Sequence, residues 1–200
     1  MPQRFRRATT GELSVRRLLT LRIGKWGSGV VLVGLLAFVG WLAFSIRIGD
    51  VISDSMNPTL VRGDKYVIRI DAYRRQSPQR GDIVVIRHPQ GDETLLKRVI
   101  GIPGDMVGVL QGHALINDTW VTEPYLKDVP GVREKPLLTK VPEGQLFLLG
   151  DNRNFSEDSR DIGTLPVRNV LGRVVAIIFP LERRQKLPRV ILDAPDTPPA

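Results

Sequence analysis

The hydrophobic pattern changes at residue 27, where a polar stretch gives way to one long apolar run. The run from Gly27 to Ile46 has 20 residues and carries no charge. A helix of that length spans roughly 30 Å, the thickness of a hydrocarbon core. It is apolar on all sides, whereas a surface helix keeps a polar face, and a cleaved signal peptide has a shorter apolar region. The pattern therefore predicts a transmembrane helix over residues 27–46.

After Ile46, short apolar runs rich in Val and Ile alternate with turn dipeptides such as Gly-Asp and Pro-Gly. Six such runs predict strands at 66–70, 83–86, 94–100, 106–109, 145–149 and 173–179. No segment of this part keeps a long 3.6-residue period, so the fold class is mainly β, with an antiparallel or barrel-like sheet. Residues 111–143 are more polar and contain four prolines, which predicts a small inserted β subdomain.

The net charge of +8 is concentrated at one end of the chain. Residues 1–26 hold seven basic residues and one acidic residue, so they contribute +6 of it. By the positive-inside rule this basic tail is cytoplasmic and the part after the span lies on the other side. A basic tail beside a span is not a nucleic-acid-binding face, so we expect no nucleic-acid partner. The predicted folded domain covers 47–181, and the Pro-rich, charged residues 182–200 predict a disordered tail, of which the apolar residues 190–192 could dock weakly.

The chain has no cysteine, which excludes thiolate catalysis and Cys-based zinc sites. Its two histidines, His88 and His113, lie beside turn residues and are interpreted as surface loop residues. Nothing in the sequence suggests a metal or an organic cofactor. A serine nucleophile would then need another base, and lysine is the common one that remains.

Lys97 is the best-placed lysine, because it lies within a predicted strand. In an extended strand Leu95, Lys97 and Val99 share one face, so Lys97 would be flanked by apolar side chains. Burial there would lower the pKa of its amine. The alternative is an exposed lysine on an edge strand whose amine reaches water. The strand alone leaves both interpretations open.

Three segments, taken together, resemble the type I signal peptidases, the serine proteases that remove secretory signal peptides. They are Ser-Asp-Ser-Met-Asn-Pro-Thr-Leu at 53–60, Leu-Lys-Arg-Val-Ile-Gly-Ile-Pro-Gly-Asp at 96–105, and Gly-Asp-Asn-Arg-Asn-Phe-Ser-Glu-Asp-Ser-Arg at 150–160. The resemblance implies that Ser55 is the nucleophile and Lys97 the general base. It also implies that Ser53 and the backbone N–H of Ser55 form the oxyanion hole.

The same resemblance implies that Ser156 orients the lysine amine and that Asp158 and Arg160 pair, while Asp151 and Arg153 support the loops. By motif position, the candidate substrate-pocket walls are Val51, Met56 and Leu96. Three positions depart from the family pattern, namely Ile52, Asn154 and Phe155. None of them removes a residue to which the resemblance gives a chemical role.

The resemblance implies a single-pass enzyme in the cell membrane or a thylakoid membrane. Its partners would be the lipid bilayer and preproteins whose signal peptides end in a small-x-small pattern. We also expect an exposed apolar patch near residues 46–52 that rests on lipid. Two other functions stay open, a specialised Ser-Lys processing peptidase, for example in pilin maturation, and an inactive membrane-anchored binding module.

Overall fold

The computed structural model describes residues 29–41, 44–126 and 137–192. These divide into two compact units, with the boundary between Phe44 and Ser45. Residues 29–41 and 44–45 are helical. Among the described residues, no helix has both the length and the apolar character needed to cross a membrane. The predicted basic tail, 1–26, and positions 27, 28, 42 and 43 of the predicted span lie outside the described residues.

The second unit is mainly β, as the hydrophobic pattern predicts. Its strands are β1 (Ile46–Asp50), β2 (Lys65–Arg69), β3 (Ile83–Arg87), β4 (Thr94–Gly101), β5 (Met106–Leu110), β6 (His113–Ile116), β7 (Thr119–Trp120), β8 (Leu137–Lys140), β9 (Gln145–Leu149), β10 (Leu165–Pro166), β11 (Val170–Phe179) and β12 (Gln185–Lys186). A short α-helix covers Ser159–Ile162, and two 3-10 helices cover Val167–Asn169 and Leu181–Arg183. The six predicted strands correspond to β2, β3, β4, β5, β9 and β11.

The larger sheet has the order β1-β2-β11-β3-β4-β9-β10, with β12 paired to β11, and its neighbours run antiparallel. The middle of this sheet is buried on both faces, because Ile83–Ile86 and the second half of β4 are all buried. A strand covered on both faces loses the apolar–polar alternation, which explains the continuous Val/Ile runs in the sequence.

The smaller sheet has the order β7-β6-β5-β8 and begins at Met106. It therefore includes β5 and starts before the predicted insertion at 111–143, of which residues 127–136 lie outside the described residues. Asn117 and Asp118, with φ of 52° and 63°, form the two-residue turn between β6 and β7. Asn and Asp tolerate this left-handed backbone better than other non-glycine residues, so the turn suits a hairpin.

Residues 182–192 differ from the disordered tail predicted for 182–200. β12 pairs with β11, and the side chains of Leu187 and Leu192 are buried in the apolar clusters of the domain. Arg183 Nε donates to Asp64 at 2.9 Å, and Arg189 Nε donates to Asp82 at 2.8 Å. Proline and charge content alone suggested that the entropy cost of ordering this segment would keep it disordered. Two buried leucines and two ion pairs offset that cost. Residues 193–200 lie outside the described residues.

Candidate active site

Ser53 and Ser55 lie on the serine loop, which we define as residues 51–60 between β1 and β2. Backbone hydrogen bonds from Val51 N to Asp64 O (2.8 Å) and from Gly63 N to Val51 O (2.9 Å) close its base. Met56 and Leu60 are fully buried, which contributes about 1.5–3 kcal/mol for each side chain and anchors the loop. The Oγ atoms of Ser53 and Ser55 are 3.3 Å apart, within hydrogen-bond range. The loop thus presents two adjacent hydroxyls on a fixed backbone.

Lys97 lies in β4 opposite Val84 of β3, and only 3% of it is exposed. Its neighbours on the same face, Leu95 and Val99, belong to one apolar cluster with Val84. Burial lowers the pKa of the Lys97 amine, and the negative charges of Asp158 and Glu157 oppose that effect. The strand pattern left open a buried or an exposed Lys97, and in the structure Lys97 is buried. Among the described residues the amine makes no hydrogen bond, so it is free to take a proton when neutral.

Gly150 is the point at which the serine loop and the third motif meet, beside the end of the β4–β9 pairing. β4 and β9 pair Val99 with Leu148 and Arg98 with Leu149, so this pairing ends at the residues next to Lys97 and Gly150. A Cβ on Gly150 would lie 2.5 Å from the backbone oxygen of Ser55 and 2.2 Å from Ser156 Oγ. The missing side chain therefore allows the backbone of Ser55 to approach the end of β9.

We define the signature loop as residues 150–158, which lies directly against the serine loop. Asn152 N donates to Ser55 O at 3.0 Å, and Asn152 Nδ2 donates to Asp54 O at 3.0 Å. Two hydrogen bonds from one residue to consecutive carbonyls fix both the distance and the orientation of the two loops. A short helix follows the signature loop and starts at Ser159.

Asp158 is the N-cap of that helix, and it joins the helix to the site. Its carboxylate accepts from Gly150 N at 3.0 Å and from Arg160 Nε at 2.8 Å, so Asp158 and Arg160 form an ion pair. Burial raises the pKa of Asp158, whereas the hydrogen bonds from Gly150 and Arg160 and the charge of Lys97 oppose that effect. Arg160 Nη2 also donates to the carbonyl of Arg153 at 2.8 Å. The pair thus holds both ends of the signature loop.

Ser156 lies beside Gly150 and the Asp158 carboxylate. Its hydroxyl is buried and has no partner at hydrogen-bond geometry within the described residues. The resemblance implies a hydrogen bond from Ser156 to the Lys97 amine, and no such bond is present between the two in this structure.

Asp151 forms a buried ion pair with Arg98, in which Arg98 Nε and Nη2 donate to the carboxylate at 2.8 and 2.6 Å. Thr59 Oγ1 donates to the same carboxylate at 2.5 Å, which ties the serine loop to the signature loop a second time. Sequence reasoning did not identify Arg98 or Thr59. The available signal was an arginine inside an apolar strand, because a buried guanidinium needs a buried acidic partner.

The three candidate pocket residues belong to one apolar cluster, but they are not equally accessible. Val51 and Met56 expose 4% and 1% of their surface and act as core residues, because the closed base of the serine loop turns them inward. Leu96 is only half-buried at the edge of the cluster, so it is the one of the three that keeps surface for a ligand. Val51 likewise lies outside the predicted exposed patch, whereas Ile48 and Ile52 are 61% and 77% exposed.

The two histidines are not in this site. His88 lies at the turn after β3, where its Nδ1 accepts from Gln90 N at 3.1 Å, and His113 begins β6 in the smaller sheet. Within the part of the chain that the structure describes, neither forms a hydrogen bond with Ser53 or Ser55. Asn154 and Phe155, two of the departures from the family pattern, are exposed on the signature loop.

Several known peptidases are similar to this chain in sequence. The family model described as signal peptidase, peptidase S26, matches residues 23–179. Signal peptidase I of Leptolyngbya laminosa is 35% identical over 169 residues, which cover 80% of this chain and 82% of that protein. Probable signal peptidase I-2 of Synechocystis sp. is 34% identical over 169 residues, covering 82% and 75%. Probable thylakoidal processing peptidase 2 of Arabidopsis thaliana is 36% identical over 136 residues, covering 64% and 36%.

Proposed function

The chain belongs to the signal peptidase family, peptidase S26, and on that premise we propose that it is a serine endopeptidase that removes signal peptides from preproteins. The observation that supports the catalytic assignment is the buried Lys97, with its lowered pKa, at the end of the β4–β9 pairing, where Gly150 contacts the backbone of Ser55. A serine hydroxyl needs a neutral base, and burial is the means by which a lysine becomes neutral near physiological pH.

In the proposed reaction, Ser55 Oγ attacks the carbonyl carbon of the residue before the cleavage point while neutral Lys97 takes the hydroxyl proton. The oxyanion forms hydrogen bonds with the Ser53 hydroxyl and the backbone N–H of Ser55, and one such donor lowers the activation barrier by about 3 kcal/mol. The C–N bond then breaks, and the Lys97 ammonium returns the proton to the leaving amine. Water, deprotonated by Lys97, hydrolyses the acyl-enzyme and restores the Ser55 hydroxyl.

The open edge of β4 supports binding of the substrate as an added strand. β4 pairs with β3 from Thr94 onward but with β9 only from Arg98 onward, so Thr94–Lys97 has one paired side among the described strands. An extended peptide that pairs with this edge would run toward Ser55 and gain main-chain hydrogen bonds. Leu96 would contact a substrate side chain there, and a confined site favours the small residues of a small-x-small motif.

We propose that residues 27–46 anchor the enzyme in the cell membrane or a thylakoid membrane, where its substrates are also embedded. Confinement to the same bilayer raises the effective concentration of the substrate at the site. The exposed side chains of Ile48 and Ile52 support contact of the domain with lipid.

The test is cleavage of a preprotein with an Ala-x-Ala site in detergent micelles, with the new N-terminus read by mass spectrometry. Wild type should cleave after the second alanine, and Ser55→Ala and Lys97→Ala should not. Ser77→Ala and Lys140→Ala are matched controls, because both side chains are exposed outside the site, and they should cleave normally. Cleavage that survives in either site variant would contradict the dyad. No cleavage by wild type would favour a specialised peptidase or an inactive module.

A further inference from the structure

A second buried ion pair connects the smaller sheet to the signature loop. Glu123 follows β7 in a stretch that carries no recognised motif, and Arg153 lies in the signature loop 30 residues later. Their side chains are 2% and 1% exposed. Arg153 Nη2 donates to Glu123 Oε1, and Arg153 Nη1 donates to Glu123 Oε2 at 3.2 Å. Both oxygens of the buried Glu123 carboxylate accept from the Arg153 guanidinium, and this bidentate pairing gives the contact a defined geometry.

Glu123 is held rigidly by the smaller sheet. Ala114 N of β6 donates to Glu123 Oε2 at 3.0 Å, and the hydroxyl of Tyr125 donates to Oε1 at 2.6 Å. The guanidinium of Arg98 lies 3.8 Å from the centre of the Tyr125 ring. Burial raises the pKa of Glu123, but the charge and hydrogen bonds of Arg153 outweigh burial and keep it below its usual range. Glu123 is therefore a fixed negative charge at neutral pH.

Arg153 connects Glu123 to Gly150 in the candidate active site. Its Nε donates to the carbonyl of Gly150 at 3.1 Å, and its Nη1 also donates to the carbonyl of Gly112 in the β5–β6 turn. Gly150 is the residue that contacts the Ser55 backbone, and it directly follows Leu149, which pairs with Arg98 next to Lys97. Three side-chain nitrogens of Arg153 therefore have partners: Nη1 and Nη2 bond Glu123, Nη1 also bonds Gly112, and Nε bonds the glycine that contacts Ser55.

We propose that Glu123 is a positioning residue for the hydrolytic site, acting through Arg153 on Gly150 and so on the distance between Ser55 and Lys97. This rests on the proposed Ser55–Lys97 chemistry. It gives the smaller sheet a part in catalysis, because Ala114 of β6 holds the Glu123 carboxylate that orients Arg153. Without that charge, Arg153 keeps its two carbonyl partners but loses the contacts that fix the direction of its guanidinium.

The experiment compares Glu123→Gln with wild type in the preprotein cleavage assay. Glutamine keeps the size of the side chain but accepts from Arg153 through one oxygen and without charge. We expect kcat to fall on the order of 10- to 100-fold, as for displacements near 1 Å, with KM nearly unchanged. The loss should be absent when Glu123→Gln is added to Arg153→Met, because the path through Arg153 is already broken.

Asp105→Asn is the matched control. Arg80 Nε donates to Asp105 at 2.8 Å in an ion pair that also supports the smaller sheet, just before β5, and within the described residues this pair has no bond to the signature loop. This variant should lose stability and keep its kcat per folded molecule. If Glu123→Gln does not fold, Tyr125→Phe removes only the hydroxyl that donates to Glu123 and should show a smaller loss of kcat.

A second measurement does not depend on cleavage. The amide of Asn152 donates to Ser55 O, so its hydrogen exchange reports the contact between the two loops. Exchange at Asn152 should be faster in Glu123→Gln and unchanged in Asp105→Asn. Wild-type kcat together with wild-type exchange in Glu123→Gln would overturn the proposal. A wild-type enzyme that cleaves nothing would overturn the proposed function instead, and the exchange result would then decide the positioning role by itself.

Discussion

Gly150→Ala tests the convergence of the two loops most directly. No positive φ is involved at Gly150, so the substitution adds one methyl group to a backbone that alanine can adopt. That methyl carbon would lie 2.2 Å from Ser156 Oγ and 2.5 Å from Ser55 O, where ordinary contacts begin at 3.4 Å. Rotation of the Ser156 hydroxyl does not relieve the overlap, because Ser156 Cβ would also lie at 2.5 Å, and the Ser55 oxygen belongs to the backbone. The serine loop must therefore move by about 1 Å relative to β9.

Gly150→Ala should affect the rate of cleavage more than the stability of the fold. Overpacking of this kind costs about 1–3 kcal/mol of folding stability, and 1 kcal/mol shifts Tm by about 2–4 °C in a protein of this length. A displacement of about 1 Å at a reacting group, in contrast, costs about 100-fold in rate. We therefore expect a protein that is folded at assay temperature and nearly inactive.

The assay is steady-state cleavage of the preprotein, with Tm measured on the same samples. Gly108→Ala is the matched control, because its methyl carbon would lie 3.5 Å from Leu115 in ordinary contact, also without a positive φ. It should keep both Tm and kcat. Full wild-type kcat in Gly150→Ala would refute the reasoning, since the methyl group cannot be accommodated without moving Ser55 or Ser156.

Three further predictions concern stability, pH and lipid. Asp151→Asn leaves the 1%-exposed side chain of Arg98 without its anionic partner. The free energy of unfolding, measured with urea, should fall by about 3–5 kcal/mol. An unchanged urea midpoint would contradict a buried ion pair that stabilises the fold. Because the pKa of Lys97 is lowered, kcat/KM should rise as pH increases through that pKa and then level off. Between the lowered pKa of Lys97 and the ordinary pKa of lysine, the unfolded chain binds more protons than the folded chain, so the free energy of unfolding should also rise with pH. Lys97→Met should remove this pH dependence. In a protein comprising residues 45–200, changing Ile48 and Ile52 to Ser should weaken vesicle binding by about 10-fold for each side chain that inserts into lipid. Equal binding of the variant and the unchanged protein in a vesicle sedimentation assay would exclude a lipid contact at these two residues.

Much of the framework is local and was predictable from the sequence. The runs at 83–86 and 145–149 coincide with β3 and β9, because Val/Ile content and Gly-Asp turns act within a few residues. The face shared by Leu95, Lys97 and Val99 follows from strand geometry alone, and it places all three beside one apolar cluster. The assignment of Ser55 and Lys97 to one site came from the resemblance of three motifs and stays a prediction.

Contacts between distant segments could not be predicted, because no local preference encodes them. The Arg98–Asp151 pair joins residues 53 positions apart, and the Glu123–Arg153 pair joins residues 30 positions apart. Pairs of this kind depend on which strands become neighbours and in which register, and a one-residue change of register turns each side chain to the other face.

By itself, therefore, the sequence determined six of the twelve described strands, the face on which Lys97 lies and the motifs that indicate a peptidase. Only the tertiary structure decided which of those side chains are buried and which backbone atoms meet. Val51 faces the core because hydrogen bonds to the Asp64 and Gly63 backbone close the serine loop, and residues 182–192 are ordered because Leu187 and Leu192 find apolar clusters. Burial and proximity arise from the packing of the whole chain, since the free energy that stabilises each contact is available only when its distant partner is already in place.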